Sequence, residues 1–316
     1  MDWKNVFIEK LMTNDIPGAL EIKRMNIPDR LYQFRSVNTI ERLNYVIDDI
    51  NCGQLFMNVP SNFNDPFEAK SVLRSNKAEH YMGKGYFIGS MYSDVVLKYF
   101  GADKVKELED CDDWYERYWQ MFIPMIASQM HSTNERVQEI INDIQMNEIE
   151  SRNRDINSIQ VEWRVACFTK CFKNLPMWNH YADKYSGVCL EYDITSIKDA
   201  LFINRLFPVF YVKQLPDTLH KIATSSTFAR MLDYQIIHKL LDWAYEKEWR
   251  LVFDQSTFEL RVNPTTNKVD FIKPSKILLG SEIDKMNEEI IRKKASSALI
   301  PVAKMSVTEY GFEAIC

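Results

Sequence analysis

Strand-forming runs crowd the two ends of this chain and leave a long stretch of helical spacing between them. LYQFRS (31–36) and QLFMNV (54–59) come early. EWRVACFT (162–169), GVCLEYD (187–193), PVFYV (208–212), EWRLVF (248–253), FELRV (258–262), KVDFI (268–272), SKILLG (275–280) and ALIPVAKMSV (298–307) come late. They are rich in β-branched and aromatic residues, which favour extended backbone. The stretch of about 93–155 carries few such signals. There Ser132 and Glu135 form a capping box, and Val137, Ile140, Ile141 and Ile144 follow at the spacing of one helical face. Further helices are expected over 3–12, 39–50 (capped by Asn38 or Thr39), 217–244 and 284–297. Segregated strands and helices predict an α+β fold with mixed or antiparallel sheets. The expected organisation is a single domain over 1–316 with a helical insertion at about 93–155.

Composition narrows the class. With 9 Gly and 11 Pro among 316 residues, long flexible linkers are not expected. A net charge of −5 gives no global reason to expect nucleic-acid binding, though it leaves a local basic groove open. The six cysteines, at 52, 111, 167, 171, 189 and 316, make no CxxC and no zinc set, as in a reducing cytoplasm. MDWKNVFIEKLM at the start reads as an amphipathic helix without the apolar core of a signal peptide. No run approaches the roughly 18 apolar residues that span a bilayer. A cytoplasmic protein without a membrane partner is therefore expected.

Three motifs carry candidate chemistry. In FNDPFE (63–68), Asn64 and Asp65 precede Pro66 in a stiff turn. It is either a structural Asx-Pro turn or a rigid loop presenting Asn64, Asp65 and Glu68 to a polar ligand. In MWNHYADKYSG (177–187), helical spacing puts Trp178, Tyr181 and Tyr185 on one face, with His180 beside them and Gly187 as the stop. That face suits either core or the edge of a pocket. In YEKEWRLVF (245–253), Glu246 and Glu248 share a face if the segment is strand. One of the two would then have a raised pKa and serve acid–base work. If a helix runs through Glu246, they diverge, and Glu246 is a solvated end residue; Arg250, two beyond Glu248, has the alternative reading of a structural partner to it. No serine-hydrolase or HExxH pattern is present, and the GKG at 83–85 lacks the spacing of a phosphate loop.

Taken in order, LYQFRS, FNDPFE, VACFTK, MWNHYA, GVCLEYD, YEKEWRLVF and SKILLG resemble a bacterial family classed as domain of unknown function 2971, over roughly residues 31–280. Its architecture resembles in turn the ADP-ribosyltransferases, whose sheets are split. That likeness implies NAD as substrate and a macromolecular acceptor (DNA, RNA or protein), in a toxin or phage-defence setting. It implies Glu248 and Glu246 as catalytic residues. Tyr32, Arg35, Asn64, Asp65, Trp178, His180, Tyr181 and Arg250 would bind NAD, with Arg35 on the pyrophosphate and Trp178 or Tyr181 stacked on nicotinamide. The S-T-S strand of the arginine-plus-glutamate subgroup is missing, with Thr169 the nearest stand-in, and FNDPFE is not a transferase motif. Two other readings fit the same residues: a non-catalytic sensor or interaction module, and a nuclease holding Mg²⁺ on Asp65, Glu68, Glu246 and Glu248.

Overall fold

The computed structural model describes residues 2–13, 15–65, 67–68, 94–111, 113–216, 235–309 and 311–315. The chain divides into two compact units. The first comprises Met1–Ala69, Ile159–Leu215 and Ile236–Cys316, and the second Lys70–Ser158 and Pro216–Gln235.

The first unit is built on an eight-stranded sheet. Its strands are β1 (Arg30–Arg35), β3 (Arg164–Thr169), β4 (Val188–Asp193), β5 (Leu206–Pro208), β8 (Glu248–Phe253), β11 (Lys276–Leu279), β12 (Val302–Thr308) and β13 (Gly311–Ile315). Their order is β13-β12-β11-β4-β1-β3-β8-β5. All neighbours run antiparallel except β11 and β12, so the fold is α+β with mixed sheets. A three-stranded sheet joins β2 (Gln54–Phe56), β9 (Val262–Asn263) and β10 (Lys268–Asp270). A parallel pair joins β6 (Phe210–Val212) to β7 (His238–Leu240).

The central strands of the large sheet are covered on both faces, and β4 and β8 are buried along nearly their whole length. Alternate residues sort to opposite sides. Leu31, Leu190, Tyr192, Ile277, Trp249 and Leu251 share a core with Leu43, Val46 and Ile50 of the Ile40–Cys52 helix and Ile291 and Ala295 of the Lys285–Ser297 helix. Tyr32, Phe34, Cys189 and Leu278 pack instead on Met177 and Trp178 of the Leu175–Tyr181 helix. Thr39 and Asp284 cap the two longer helices through their side chains.

Between β1 and β3 the sheet parts. The two strands share one register pair, Tyr32 with Thr169, and a side chain, Gln33 Nε2 donating to the Cys167 carbonyl at 3.2 Å, crosses the gap beyond it.

Several local expectations are corrected. FELRV lies largely in a helix, Gln255–Arg261, because Asp254 accepts from the Thr257 amide at 2.8 Å and caps it. The helix expected over 217–244 lies outside the described residues up to 234, and within them 238–240 form β7 and Leu241–Glu246 a 3-10 turn. The helix begun by Leu175 ends at Tyr181 rather than at Gly187. Asp183, Lys184 and Tyr185 then follow in the left-handed region, with φ of 49°, 54° and 69°. Gly187 and Gly280 are needed for close packing around that turn: a Cβ on Gly280 would sit 1.9 Å from the Tyr185 carbonyl oxygen. The helix Ile16–Asn26 and the strand β13 carried no signal recognised above.

The described part of the second unit is helical: Asp94–Phe100, Ala102–Asp110, Trp114–Met130 and most of Asn134–Glu162. Ile123, Ala127, Val137 and Ile141 form its core, and Tyr118 stacks on Phe122 at 4.4 Å. Ile144 is 61% exposed, off the face assigned to it, and the capping side chain is Thr133, accepting from the Arg136 amide, rather than Ser132. The GKG at 83–85 lies outside the described residues.

Gly280→Ala should destabilise the protein by about 1–3 kcal/mol, since backbone rather than a movable side chain blocks the added methyl. Urea unfolding of the variant against wild type measures it.

Candidate functional site

The parting of β1 from β3 forms a cleft of about 480 Å³ within the first unit. It lies inside the range of roughly 300–1,000 Å³ usual for small-molecule sites. Tyr32–Arg35 of β1, with Ser36 just beyond it, and Val165–Thr169 of β3 form its walls. Arg35 and Arg42 stand at one part of the lining, with Tyr45 stacked on Phe56 at 4.5 Å. Asn58, Asn62 and Asn64 add amides, and Glu68, Lys239, Glu246 and Glu248 supply the charge.

Those last four belong, with Arg250, to a buried charge cluster. The turn of FNDPFE delivers Glu68 to it: Asp65 Oδ1 accepts from the Phe67 amide at 2.9 Å and the Asp65 carbonyl from the Glu68 amide at 3.1 Å. Glu246 ends the 3-10 turn, Lys247 takes φ of 47°, and Glu248 opens β8. That left-handed residue resolves the strand-or-helix alternative. Although a 3-10 turn runs through Glu246, the two carboxylates converge instead of diverging. Lys239 Nζ lies 2.6 Å from Glu246, 3.2 Å from Glu68 and 3.3 Å from Glu248. Arg250 holds both oxygens of Glu248, from Nε at 3.0 Å and from Nη2 at 2.9 Å, and also bonds Glu68 and the Ile236 carbonyl. This is the bidentate fork that guanidinium geometry favours.

Three carboxylates (Glu68, Glu246, Glu248) thus meet two cations (Lys239, Arg250), one negative charge in excess if all ionise. Within the Glu246–Glu248 pair, ionisation of Glu246 is the one disfavoured. Burial first, and then the Glu248 charge, push its carboxyl up to about 7. Burial acts on Glu248 in the same direction, but Arg250 and then Lys239 overcome it and hold Glu248 well below the usual carboxylate range. Tyr181 donates its hydroxyl to Glu246 at 2.5 Å, and Asn64 Nδ2 donates to that same hydroxyl at 3.1 Å. Burial and Glu246 together raise the Tyr181 phenol. The arrangement can therefore present a buried acid, exchangeable near neutral pH and steadied by a phenol and a lysine, to whatever fills the cleft.

Of the residues singled out from sequence, Tyr32, Arg35, Asn64, His180, Tyr181, Glu246 and Glu248 line the cleft. Burial and Glu191 push the Tyr32 phenol up to about 12. Three others do not line it. Trp178 is 0% exposed, edge-on to Phe34 and donating to the Phe172 carbonyl at 2.6 Å, so no ligand can stack on it. Asp65 is buried in its own Asx turn. Arg250 lies behind the carboxylates it binds, fully buried. Lys239 and Arg42 were missed. A lysine flanked by Ile236, Ile237, His238 and Leu240 was the available signal, because an apolar strand buries whatever it carries.

Residues 177–251 match the family model described as a protein of unknown function, DUF2971. The DUF2971 match spans MWNHYA, GVCLEYD, Lys239 and YEKEWRL, and so includes most of the charge cluster; LYQFRS and FNDPFE fall before it. No curated protein and no solved structure matches the chain. Among the described residues no helix is long and apolar enough to cross a membrane.

Glu248→Gln breaks a fully buried pair and leaves Arg250 with less compensation, so it should cost about 3–5 kcal/mol in urea unfolding. Glu246→Gln should do the reverse with pH. A carboxyl raised in the fold lends stability below its unfolded pKa and loses it as pH rises through about 7. The variant should therefore gain on wild type between about pH 5 and pH 8, and a stability difference that stays flat across that range would contradict the assignment.

Proposed function

We propose that the cleft is the active site of an ADP-ribosyltransferase that uses NAD, with Glu246 rather than Glu248 as its working carboxylate. The observation behind this reading is that Glu246 lines the cleft, is 2% exposed and is bonded by Tyr181 and Lys239, with burial and Glu248 pushing its carboxyl up toward the range where a general base works best. Glu248, with both oxygens on Arg250, is better suited to holding that neighbour in place.

In the reaction, the bond from the ribose to nicotinamide breaks and its electron pair leaves with nicotinamide. A carboxylate at the sugar stabilises the resulting cation, and the acceptor nucleophile closes on the same carbon as its proton passes to Glu246. Arg35 and Arg42 suit the pyrophosphate, whose charge two guanidinium groups can share. Tyr181, the alternative to Trp178, remains at the cleft as an aromatic surface. The acceptor is a macromolecule: DNA, RNA or protein. A cytoplasmic setting suits the five cysteines among the described residues, all free thiols.

One observation favours the sensor reading instead. Glu68, Glu248, Lys239 and Arg250 satisfy one another, as a purely structural cluster would. Such a module would bind an anionic ligand in the cleft without turning it over. The nuclease reading has less support: Asp65 is engaged in its own Asx turn and does not line the cleft, and Lys239 already lies within reach of the three other carboxylates.

Incubation with NAD labelled in its adenine and with mixed DNA, RNA and protein acceptors separates these readings. Label in an acceptor together with free nicotinamide is expected, and Glu246→Gln should lower the rate about 10²-fold or more, near 3 kcal/mol of barrier. Binding of NAD without release of nicotinamide would favour the sensor, and full turnover by Glu246→Gln would remove the carboxylate from its role.

A further inference from the structure

The two oxygens of Glu246 are held by groups of unlike hydrogen-bonding capacity. Lys239 Nζ donates to Oε2 at 2.6 Å, and the Tyr181 hydroxyl donates to Oε1 at 2.5 Å. An ammonium has three donors and no acceptor. Three carboxylates lie within reach of this one: Glu246, Glu68 at 3.2 Å and Glu248 at 3.3 Å. A phenol, by contrast, both donates and accepts. The Tyr181 hydroxyl is met in turn by the exposed Asn64 side chain, whose Nδ2 donates to it at 3.1 Å and whose Oδ1 lies 3.4 Å away. Two other phenols near Glu246 are engaged elsewhere, Tyr245 with His180 Nδ1 at 3.2 Å and Tyr211 with the Glu248 amide at 2.8 Å.

These capacities decide where a proton on Glu246 can sit. The hydroxyl oxygen of a carboxylic acid accepts more weakly than its carbonyl oxygen. Lys239 therefore keeps its charge-assisted bond best when Oε2 is the carbonyl and Oε1 carries the proton. Oε1 and the phenol oxygen are 2.5 Å apart, which leaves room for one hydrogen between them. With Oε1 protonated, the Tyr181 hydroxyl accepts from Glu246 and turns its own hydrogen to Asn64 Oδ1. With Glu246 ionised both bonds reverse: Tyr181 donates to Oε1, and Asn64 Nδ2 donates to Tyr181.

We propose that Tyr181 is a positioning residue for Glu246, fixing Oε1 as the oxygen that exchanges its proton with the cleft, and that Asn64 acts on Glu246 through Tyr181. The proposal rests on the reading of Glu246 as the working carboxylate. In the transfer step, the bond between the acceptor nucleophile and its hydrogen breaks as the bond from that hydrogen to Oε1 forms. The electron pair of the broken bond stays with the nucleophile, which closes on the ribose carbon. Glu68, Glu248 and Arg250 keep their mutual bonds in both states.

Carbon-13 carboxyl NMR reads the midpoint of Glu246 without NAD, the resonance being assigned by its loss in Glu246→Gln. Tyr181→Phe keeps the ring and removes the hydroxyl. The ionised carboxyl then loses a donor, and its midpoint should rise by about one pH unit. Asn64→Ala should raise the midpoint by less in the wild-type background and leave it unchanged in the Tyr181→Phe background, because its effect passes through the hydroxyl. A midpoint that stays at the wild-type value in Tyr181→Phe, no shift by Asn64→Ala in the wild-type background, or equal shifts by Asn64→Ala in both backgrounds, overturns the proposal. During NAD turnover the acidic limb of the kcat/KM profile should move with the midpoint between wild type and Tyr181→Phe, and a limb that stays put while the midpoint moves overturns it as well. Absence of NAD turnover by wild type defeats the transferase reading alone, since the midpoints and their coupling are read without it.

Discussion

Five charged side chains that none of their segments could bury alone fix how a loop, a 3-10 turn and two strands of the first unit meet. Glu68 arrives from a loop, Lys239 from β7, Glu246 from a 3-10 turn, and Glu248 and Arg250 from β8. A single buried charge is prohibitive, and a buried pair roughly breaks even against apolar packing. The cluster is therefore better understood as a device for specificity than as a source of stability. Because the Arg250–Glu68 bond joins residues 182 apart in sequence, the FNDPFE loop has one acceptable position relative to β8. Misplacing it would strand a guanidinium in the interior.

That constraint explains why the cleft lies where it does. β1 is tied on one side by a full antiparallel ladder with β4, from Arg30–Asp193 to Arg35–Val188, and on the other by a single pair with β3. β3 is tied in turn to β8 along its whole length, from Arg164–Phe253 to Thr169–Glu248. Two rigid half-sheets thus meet at one point and diverge. Strand edges left unpaired in a protein interior need other partners. Here Gln33 crosses to Cys167, and the Asn58 backbone bonds Val165 at both amide and carbonyl. The cleft is the remaining gap, walled by backbone and floored by charge.

The legible parts of this architecture were those where local pattern and tertiary demand agree. EWRLVF is a strand in both respects, buried at every position, and the Glu–Arg spacing of two along it anticipated the observed pair. Thr39 caps its helix as the sequence suggests. Legibility failed where one local device overrode the pattern. A single Asp254 cap turned a β-rich run into a helix. One left-handed residue, Lys247, brought together two glutamates whose spacing allowed either a strand face or divergence. Trp178 shows the commonest error of this kind: an aromatic beside polar residues invites a stacking role, yet its indole already has Phe34, Phe312 and the Phe172 carbonyl. Lys239 stayed hidden because its neighbours fit a helix as well as a strand, and only the partners supplied by residues 68 and 246–248 make a buried lysine sensible there.

The odd charge of the cluster is the strongest argument that it does more than hold the chain. A purely structural set could close at neutrality, with every carboxylate matched. This one leaves a proton in play on Glu246, while Arg250, the group that would be costliest to expose, is sealed behind it. The cluster therefore has a fixed side and a variable side. Arg250 and Glu248 are locked by a two-point fork whose ionisation barely responds to pH near neutrality. Glu246 is held by a phenol and an ammonium, both of which can follow a change in its charge without moving far. Four of the five charges line the cleft and only Arg250 does not, so the titrating carboxyl and the locked Glu248 face the same space with the guanidinium behind them.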